Sequence, residues 1–461
     1  MQNWFEHILH RMRAHPQRPA MIMEEGVVTY QMAHDAMMRC AQRIAALDLP
    51  ADATVGVVVA SPVRHVILCL ALFRIGVRAV SLEHGQTGVR TLKLAAIIGD
   101  RAAAAVVDPA NPFVLAADDW FTTDSAPRAL PPSFVDVDQV FRFSFTSGST
   151  GTPKLVPRRV GGTSRTILKF LDLNWNVVLD MPGLSIHWGF MTACAALATG
   201  RTVCFALSPF QAIRMIELFS IDFVVASTEQ LLALTRVART SGAQLKSLRT
   251  IMTAGSVPSR LLLEQAMIHL CNNIITRYGA AEMGAIAQTT AREVLENPGL
   301  VGLVAPEISV AIRDRTGREC QAGEIGLVHA RHHGDTDWIN LDDAGGLDAE
   351  GRLFVIGRSS DVGKSSPALS PLHEIEHLMR LEWDLDDAAA AIEEATDTHA
   401  ARVNVAVVGN AGVTPEAVVA KLKARGIDCE VSVHHVEAIP RTTSGKINRL
   451  EFAALIKSRR T

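Results

Sequence analysis

Short apolar runs and longer amphipathic stretches alternate along most of this chain. Residues 54–60 form a continuous apolar run that predicts a buried strand, 63–74 carry apolar residues at helical spacing, and 78–82 return to a short strand. The pattern goes on to predict helix at 92–98 and strand at 103–107. Further along it predicts strands at 203–206, 222–226, 250–254 and 273–276, with helices at 209–219, 228–240 and 259–270 between them. Such alternation predicts an α/β fold of mainly parallel sheets covered by helices on both faces. Residues 117–132, rich in Asp, Ser, Thr and Pro, read as a surface loop. From 327 the strands shorten: 327–330, then 353–356 after the turn Asp348-Ala349-Glu350-Gly351. A polar stretch at 359–367 precedes a compact tail with helix 371–380, strand 402–408, helix 415–424 and strand 429–436. The expected organisation is a large N-terminal domain at 1–358 that includes a β-rich subdomain, a linker at 359–370, and a small C-terminal α+β lid at 371–461.

Composition narrows the class without choosing a chemistry. At 461 residues the chain is long enough for two or three domains, and its net charge of −3 gives no broad attraction to nucleic acid or anionic membrane. Residues 1–15 carry scattered charges and no apolar run, so a cleavable signal is not expected. No stretch approaches the roughly 20 apolar residues of a membrane span. The seven cysteines show no Cys-x-x-Cys pair, which points to reduced core thiols and a cytoplasmic location. His332-His333 and His434-His435 lack further ligands at useful spacing and read as surface or strand histidines.

The chemistry concentrates in Phe145-Thr146-Ser147-Gly148-Ser149-Thr150-Gly151-Thr152-Pro153-Lys154, which follows the strand pattern Phe141-Arg142-Phe143-Ser144. Gly148 and Gly151 allow backbone N–H groups close approach to an anion, the hydroxyls of Thr146, Ser147, Ser149, Thr150 and Thr152 can donate, and Lys154 adds a point charge. A flexible linker would need neither the Pro-Lys ending nor the strand before it. The common phosphate loop is also excluded, because it requires four residues between its glycines and a Gly-Lys-Ser/Thr ending. The order instead resembles the signature loop of the adenylate-forming enzymes: acyl- and aryl-CoA synthetases, peptide-synthetase adenylation domains and luciferases. Further matches extend the resemblance from about residue 33 to 452.

Tyr278-Gly279-Ala280-Ala281-Glu282 follows the predicted strand 273–276. By itself a tyrosine beside a Gly-Ala turn is as easily a packing residue. The segment resembles the family's Tyr-Gly-x-Thr-Glu motif, which implies adenine stacking by Tyr278 and Mg²⁺ binding by Glu282; Ala281 replaces the usual threonine. Asp343 and Arg358 stand at the family's spacing for a ribose-binding pair, although read alone they are an acid in an acidic loop and a strand-end arginine. Leu341-Asp342 departs from the family's Thr-Gly at the preceding positions. Near the C-terminus, Pro440-Arg441-Thr442-Thr443-Ser444-Gly445-Lys446 resembles the ending whose lysine enters the active site during adenylation, and this implies that role for Lys446. The resemblance also makes the lid mobile, with its hinge at Ser360 or Asp361.

Together the resemblances imply ATP-Mg²⁺-dependent activation of a carboxylic acid to an acyl-adenylate. Pyrophosphate leaves, and the acyl group passes to the thiol of CoA. Two alternatives stay open: loading of a carrier-protein phosphopantetheine, or a nucleotide-binding relative with impaired thioester formation, suggested by Ala281, by Leu341-Asp342 and by the absence at 365–370 of the glycine that the family's thioesterification loop carries. For the acid, Leu184-Ser185-Ile186-His187-Trp188-Gly189-Phe190 resembles the mouth of the acyl pocket, although His187 could equally be a core histidine. The pocket set is His187, Trp188, Ala254, Gly255, Gly279 and Ala280, with the small residues open to a second reading as tight packing. Gly279 in place of a capping tryptophan, and no aspartate at 181–207, favour a medium or larger acyl or aryl acid over acetate or an α-amino acid.

Overall fold

The computed structural model describes every residue except 1–2, 51, 83–91, 106, 108–110, 125–127, 146–154, 171–172, 360–371, 384, 394–401, 410–411, 428, 442–446 and 459–461. Two compact units partition the chain: Met1–Val225 with Leu245–Leu248, and Ala226–Gln244 with Arg249–Thr461.

In the first unit five strands run parallel in the order Phe113–Leu115, Ala96–Gly99, Thr54–Val58, Arg78–Ser81, Val140–Phe145, and Leu155–Arg159 closes the edge antiparallel. Thr54–Val58 is buried at every position, which is why its sequence shows a run instead of an alternation. A second set of strands is ordered Gly26–Thr29, Pro19–Met23, Thr202–Cys204, Val177–Asp180, Phe223–Ser227, and all of its pairs but the first are parallel. Helix Pro62–Arg74 begins with proline in its first turn and with the Ser61 hydroxyl accepting from the Arg64 N–H at 3.4 Å.

Residues 92–107 reverse the expected order, with strand Ala96–Gly99 first and helix Arg101–Ala104 second. Asp100 is the reason. Its Oδ1 accepts from Ala103 N–H at 2.9 Å and caps the helix, while Oδ2 accepts from Ala60 N–H at 2.7 Å. The apolar residues just before it are drawn between two parallel neighbours. The stretch 117–132 also holds a short helix, Asp119–Thr122, that buries Trp120 and Phe121.

In the second unit Thr250–Ala254 and Ile274–Ala280 run parallel, and the sheet continues antiparallel through Gly284–Thr290, Leu300–Val304, Arg352–Arg358, Ile339–Leu347, Gly326–His332 and Ile308–Arg313. This antiparallel part is the β-rich subdomain, packed around Ile286, Val328, Ala330, Leu353 and Val355. The tail has its own sheet of Asp387–Glu393, Arg402–Val408 and Glu430–His435, and its own core around Ala389, Ala406, Phe452 and Ile456. The architecture is α/β throughout. Among the described residues no helix is long and apolar enough to cross a membrane.

Candidate active site

Asp343 and Arg358, fifteen positions apart in sequence, face each other as register partners on the antiparallel strands Ile339–Leu347 and Arg352–Arg358. Arg358 Nη1 lies 3.4 Å from Asp343 Oδ1 and donates to the Leu341 carbonyl at 2.7 Å. The other carboxylate oxygen, Oδ2, accepts a 2.6 Å hydrogen bond from the Tyr278 hydroxyl. Burial, and then the charge and hydrogen bond of Asp343, push the Tyr278 phenol well above its ordinary range, so it stays protonated and remains a donor. Sequence reading gave Tyr278 a role for its ring alone. The hydroxyl's grip on Asp343 joins two segments 65 residues apart and leaves no local signal in the chain. A carboxylate held this way keeps lone pairs for further donors, which suits a vicinal diol.

Asp342, at the position of the family glycine, adopts φ +57°, the left-handed region that glycine enters freely and aspartate tolerates. Its N–H donates to Asn340 Oδ1 at 2.9 Å and its carbonyl accepts from Ser359 N–H at 2.9 Å, so the departure keeps the loop's turn.

Tyr278, Gly279 and Ala280 end the strand Ile274–Ala280, and residues 281–283 turn the chain into Gly284–Thr290. Glu282 stands exposed on that turn. One accessible carboxylate fits a magnesium ion whose other ligands are waters and phosphate oxygens. Among the described residues no group of three or more His, Cys, Asp or Glu could hold a metal alone. Ala254 ends the neighbouring parallel strand, and Gly255 follows it at φ +104°. Ala254, Gly255, Gly279 and Ala280 therefore lie at the carboxyl ends of adjacent parallel strands, where open α/β sheets place their ligands. Gly279 has a second physical cause. The strand bulges between Tyr278 and Gly279, and a Cβ at 279 would run into the Gly284 carbonyl and approach Ala285 Cα to 3.1 Å. The hairpin itself demands this glycine, so its presence is no independent measure of pocket size.

His187 and Trp188 belong to the first unit, where they open the helix His187–Thr199. Burial, followed by the charges of Arg158 and Arg142, holds His187 well below the usual imidazole range, so it is neutral. Among the described residues its Nδ1 and the Trp188 Nε1 are buried without a hydrogen-bond partner. The phosphate-loop residues Thr146, Ser147, Gly148, Ser149, Thr150, Gly151 and Lys154, the hinge residues Ser360 and Asp361, and Lys446 lie outside the described residues.

Residues 8–335 match the family model described as AMP-binding enzyme. The chain is 26% identical over 366 residues to the uncharacterized acyl–CoA ligase YhfT of Bacillus subtilis (strain 168), covering 75% of this chain and 74% of that protein. It is 24% identical over 500 residues to the 2-succinylbenzoate–CoA ligase of Bacillus pumilus (strain SAFR-032), covering 97% and 96%. In fold it is similar to the O-succinylbenzoate coenzyme A synthetase MenE of Bacillus subtilis, solved in complex with ATP and magnesium, with a TM-score of 0.82, 20% identity and coverage of 98% and 99%. With a family model spanning well over half of its length, the chain belongs to the AMP-binding enzymes.

Proposed function

We propose that the protein activates a carboxylic acid with ATP, forming an acyl-adenylate and releasing pyrophosphate, and then passes the acyl group to the thiol of CoA. The observation that carries this reading is the carboxylate of Asp343, fixed between Tyr278 and Arg358 in a chain that bears the decapeptide 145–154. Asp343 and Arg358 bind the ribose hydroxyls, and the Tyr278 ring lies against the purine. Residues 146–154 hold the departing pyrophosphate. Glu282 contributes one ligand to Mg²⁺, which when bound neutralises phosphate charge. Lys446 bridges the attacking carboxylate and the α-phosphate, where a cation gains most as charge shifts in the transition state. His187 and Trp188 line the acyl side, and the acid is medium-sized or larger.

The domain reading is 1–358, a hinge at 359–370 that turns about Ser360 or Asp361, and a lid at 371–461. The separate sheet and core of the tail support it. The free thiols of all seven cysteines suit the cytoplasm. A second reading, a relative with impaired thioester formation, is favoured by the missing glycine at 365–370, which bears equally on transfer to CoA and to the phosphopantetheine of an acyl carrier protein. Pyrophosphate release measured over a panel of carboxylic acids, with CoA, with holo-carrier protein and with neither, tests both. Release that depends on an acid supports adenylation, and the acceptor that consumes the adenylate identifies the second step. No release with any acid refutes the assignment.

A further inference from the structure

Helix Thr228–Ser241 opens with a capping box, in which Ser227 Oγ accepts from the Gln230 N–H and Gln230 Oε1 from the Ser227 N–H. Glu229 is the acid of its first turn, a position that the helix dipole favours for any carboxylate facing water. Here it meets two arginines instead. The Arg380 guanidinium, from helix Leu372–Glu382 in the tail, donates to Glu229 Oε2, and Arg441 Nη1 comes within 3.9 Å of the same oxygen. The two arginines share a second acid inside the tail. Asp387 accepts from Arg441 Nε at 2.8 Å and, through its other oxygen, from Nη2, and it lies 3.9 Å from Arg380 Nε. Arg380 is only 11% exposed, and its Nε has no hydrogen-bond partner among the described residues, so Glu229 is its close counter-charge. A guanidinium this buried is costly to leave without one.

Both sides of this contact lead to the site. On the body side, Thr228 donates its hydroxyl to the Ser256 carbonyl at 2.7 Å, one residue beyond Gly255 at the carboxyl end of strand Thr250–Ala254. On the tail side, Arg441 stands five residues before Lys446 in sequence. A β-bridge joins Arg441 to Ile447, and the Asn448 N–H donates to the Pro440 carbonyl at 2.9 Å, so the flanks of residues 442–446 are held together where Arg441 is anchored. The bonds of Glu374, His377 and Leu381 to Arg260, Ser259 and Arg239 each involve a backbone group. At Glu229 side chains of opposite charge meet, and such complementarity fixes register.

We propose that Glu229 is a positioning residue for adenylation: by holding Arg380 and Arg441 it sets the tail in the orientation in which Lys446 serves the first half-reaction. The inference rests on the activity, and on the role of Lys446, proposed above. In this role Glu229 touches no reacting atom. It acts on the fraction of molecules whose tail is correctly set, so its loss appears in kcat and not in substrate affinity. Once the tail turns, water hydrates the parted carboxylate and guanidinium groups, and this lets the contact yield to the second half-reaction.

ATP–pyrophosphate exchange, with the acid that releases most pyrophosphate in the panel above, reports adenylation. Transfer from the preformed adenylate of that acid to CoA reports the second step. Glu229→Gln keeps the shape of the side chain and removes its charge. It should lower kcat for exchange about fivefold or more, hold KM for ATP and for the acid within roughly twofold, and leave transfer equal or faster. Arg380→Met should act alike, the double variant should be no slower than the slower single one, and Glu229→Asp should keep part of the rate. Equal losses in both half-reactions with a lowered urea midpoint, or a Glu229→Gln chain that does not fold, would assign the contact to stability alone and overturn the proposal. An unchanged kcat for exchange overturns it as well, and so does a loss confined to transfer, which would assign the contact to the opposite orientation. If the wild type makes no thioester, a fall in exchange kcat at an unchanged urea midpoint supports the proposal and any other result overturns it. A wild type that exchanges pyrophosphate with no acid removes the proposed function, and this inference with it.

Discussion

Replacing Tyr278 with phenylalanine isolates the hydroxyl from the ring. The hydroxyl donates 2.6 Å to Asp343 Oδ2, and a hydrogen bond to a charged group contributes about 1.5–3 kcal/mol. Without it Asp343 keeps Arg358 at 3.4 Å, but that arginine's side chain is 41% exposed. A partly exposed pair of this kind contributes only about 0.2–1 kcal/mol, too little to fix the carboxylate. Tyr278→Phe should therefore lower Tm by roughly 3–12 °C, taking 2–4 °C per kcal/mol for a unit of this size. On the proposed ribose-binding role it should also lower kcat/KM for ATP about tenfold, with most of the change in KM, because a loosened Asp343 would have to be reordered by the ribose. Tyr278→Ala, which loses the ring as well, should do worse. The decisive measurement is a double-mutant cycle with Asp343→Ala, read as unfolding free energy and again as kcat/KM for ATP. The structure calls for strong non-additivity in both. A coupling below about 0.5 kcal/mol would refute the argument that the hydroxyl positions the carboxylate.

Gly279→Ala should cost about 1–3 kcal/mol of stability through its collision with the Gly284 carbonyl, and should depress adenylation of every acid alike. A changed chain-length preference at unchanged Tm would restore the pocket explanation. Asp342→Gly should stabilise the protein by about 0.5 kcal/mol by relieving φ +57°, with kcat/KM for ATP held within roughly twofold; a fall in urea midpoint would show that the aspartate side chain supports the loop. Acid should destabilise the protein early. Burial pushes His65 and His377 down to about 3, so between pH 6.5 and 3 the unfolded chain binds protons that the folded one refuses, and stability falls as pH falls. The two should lose about 2.5 kcal/mol between pH 7 and 5.5, and equal urea midpoints at those two pH values would contradict this.

The chain shows its fold wherever burial is uniform. Thr54–Val58 is legible because all of its residues are inside, and helix Pro62–Arg74 because Ser61 and Pro62 mark its start. Residues 92–107 misled because the runs are too short for periodicity to separate helix from strand, and the deciding residue, Asp100, acts through backbone contacts with Ala60 and Ala103. The site divides in the same way. The pair proposed to bind ribose is legible only through family spacing, since nothing in a fifteen-residue separation says that Asp343 and Arg358 are cross-strand partners. The Tyr278 hydroxyl bond and the crowding behind Gly279 are tertiary facts with no sequence signature. Arg142 did leave a trace, as a charge between two phenylalanines, but alternation does not show that both faces of its strand are covered, with Phe141 4% and Arg142 0% exposed.

The tail's contacts within the second unit bear on whether it can serve as a moving lid. Glu374 and His377, from helix Leu372–Glu382, accept from the N–H groups of Arg260 at 2.9 Å and Ser259 at 3.2 Å, at the start of helix Arg260–His269. Arg380 pairs with Glu229, and Arg239 donates to the Leu381 carbonyl at 3.0 Å. These bonds are polar, and water can replace each of them. A neutral bond of this kind contributes about 0.5–1.5 kcal/mol net and one between charged groups about 1.5–3 kcal/mol, so none exceeds the roughly 1.5–3 kcal/mol of fully burying one large apolar side chain. A tail that must release and redock between two half-reactions needs contacts that define an orientation without fixing it. Hydrogen bonds to a helix N-terminus do this, because they are directional when made and inexpensive to give up. The tail's apolar core, around Phe452 and Ile456, lies within its own fold and does not have to open for the tail to turn.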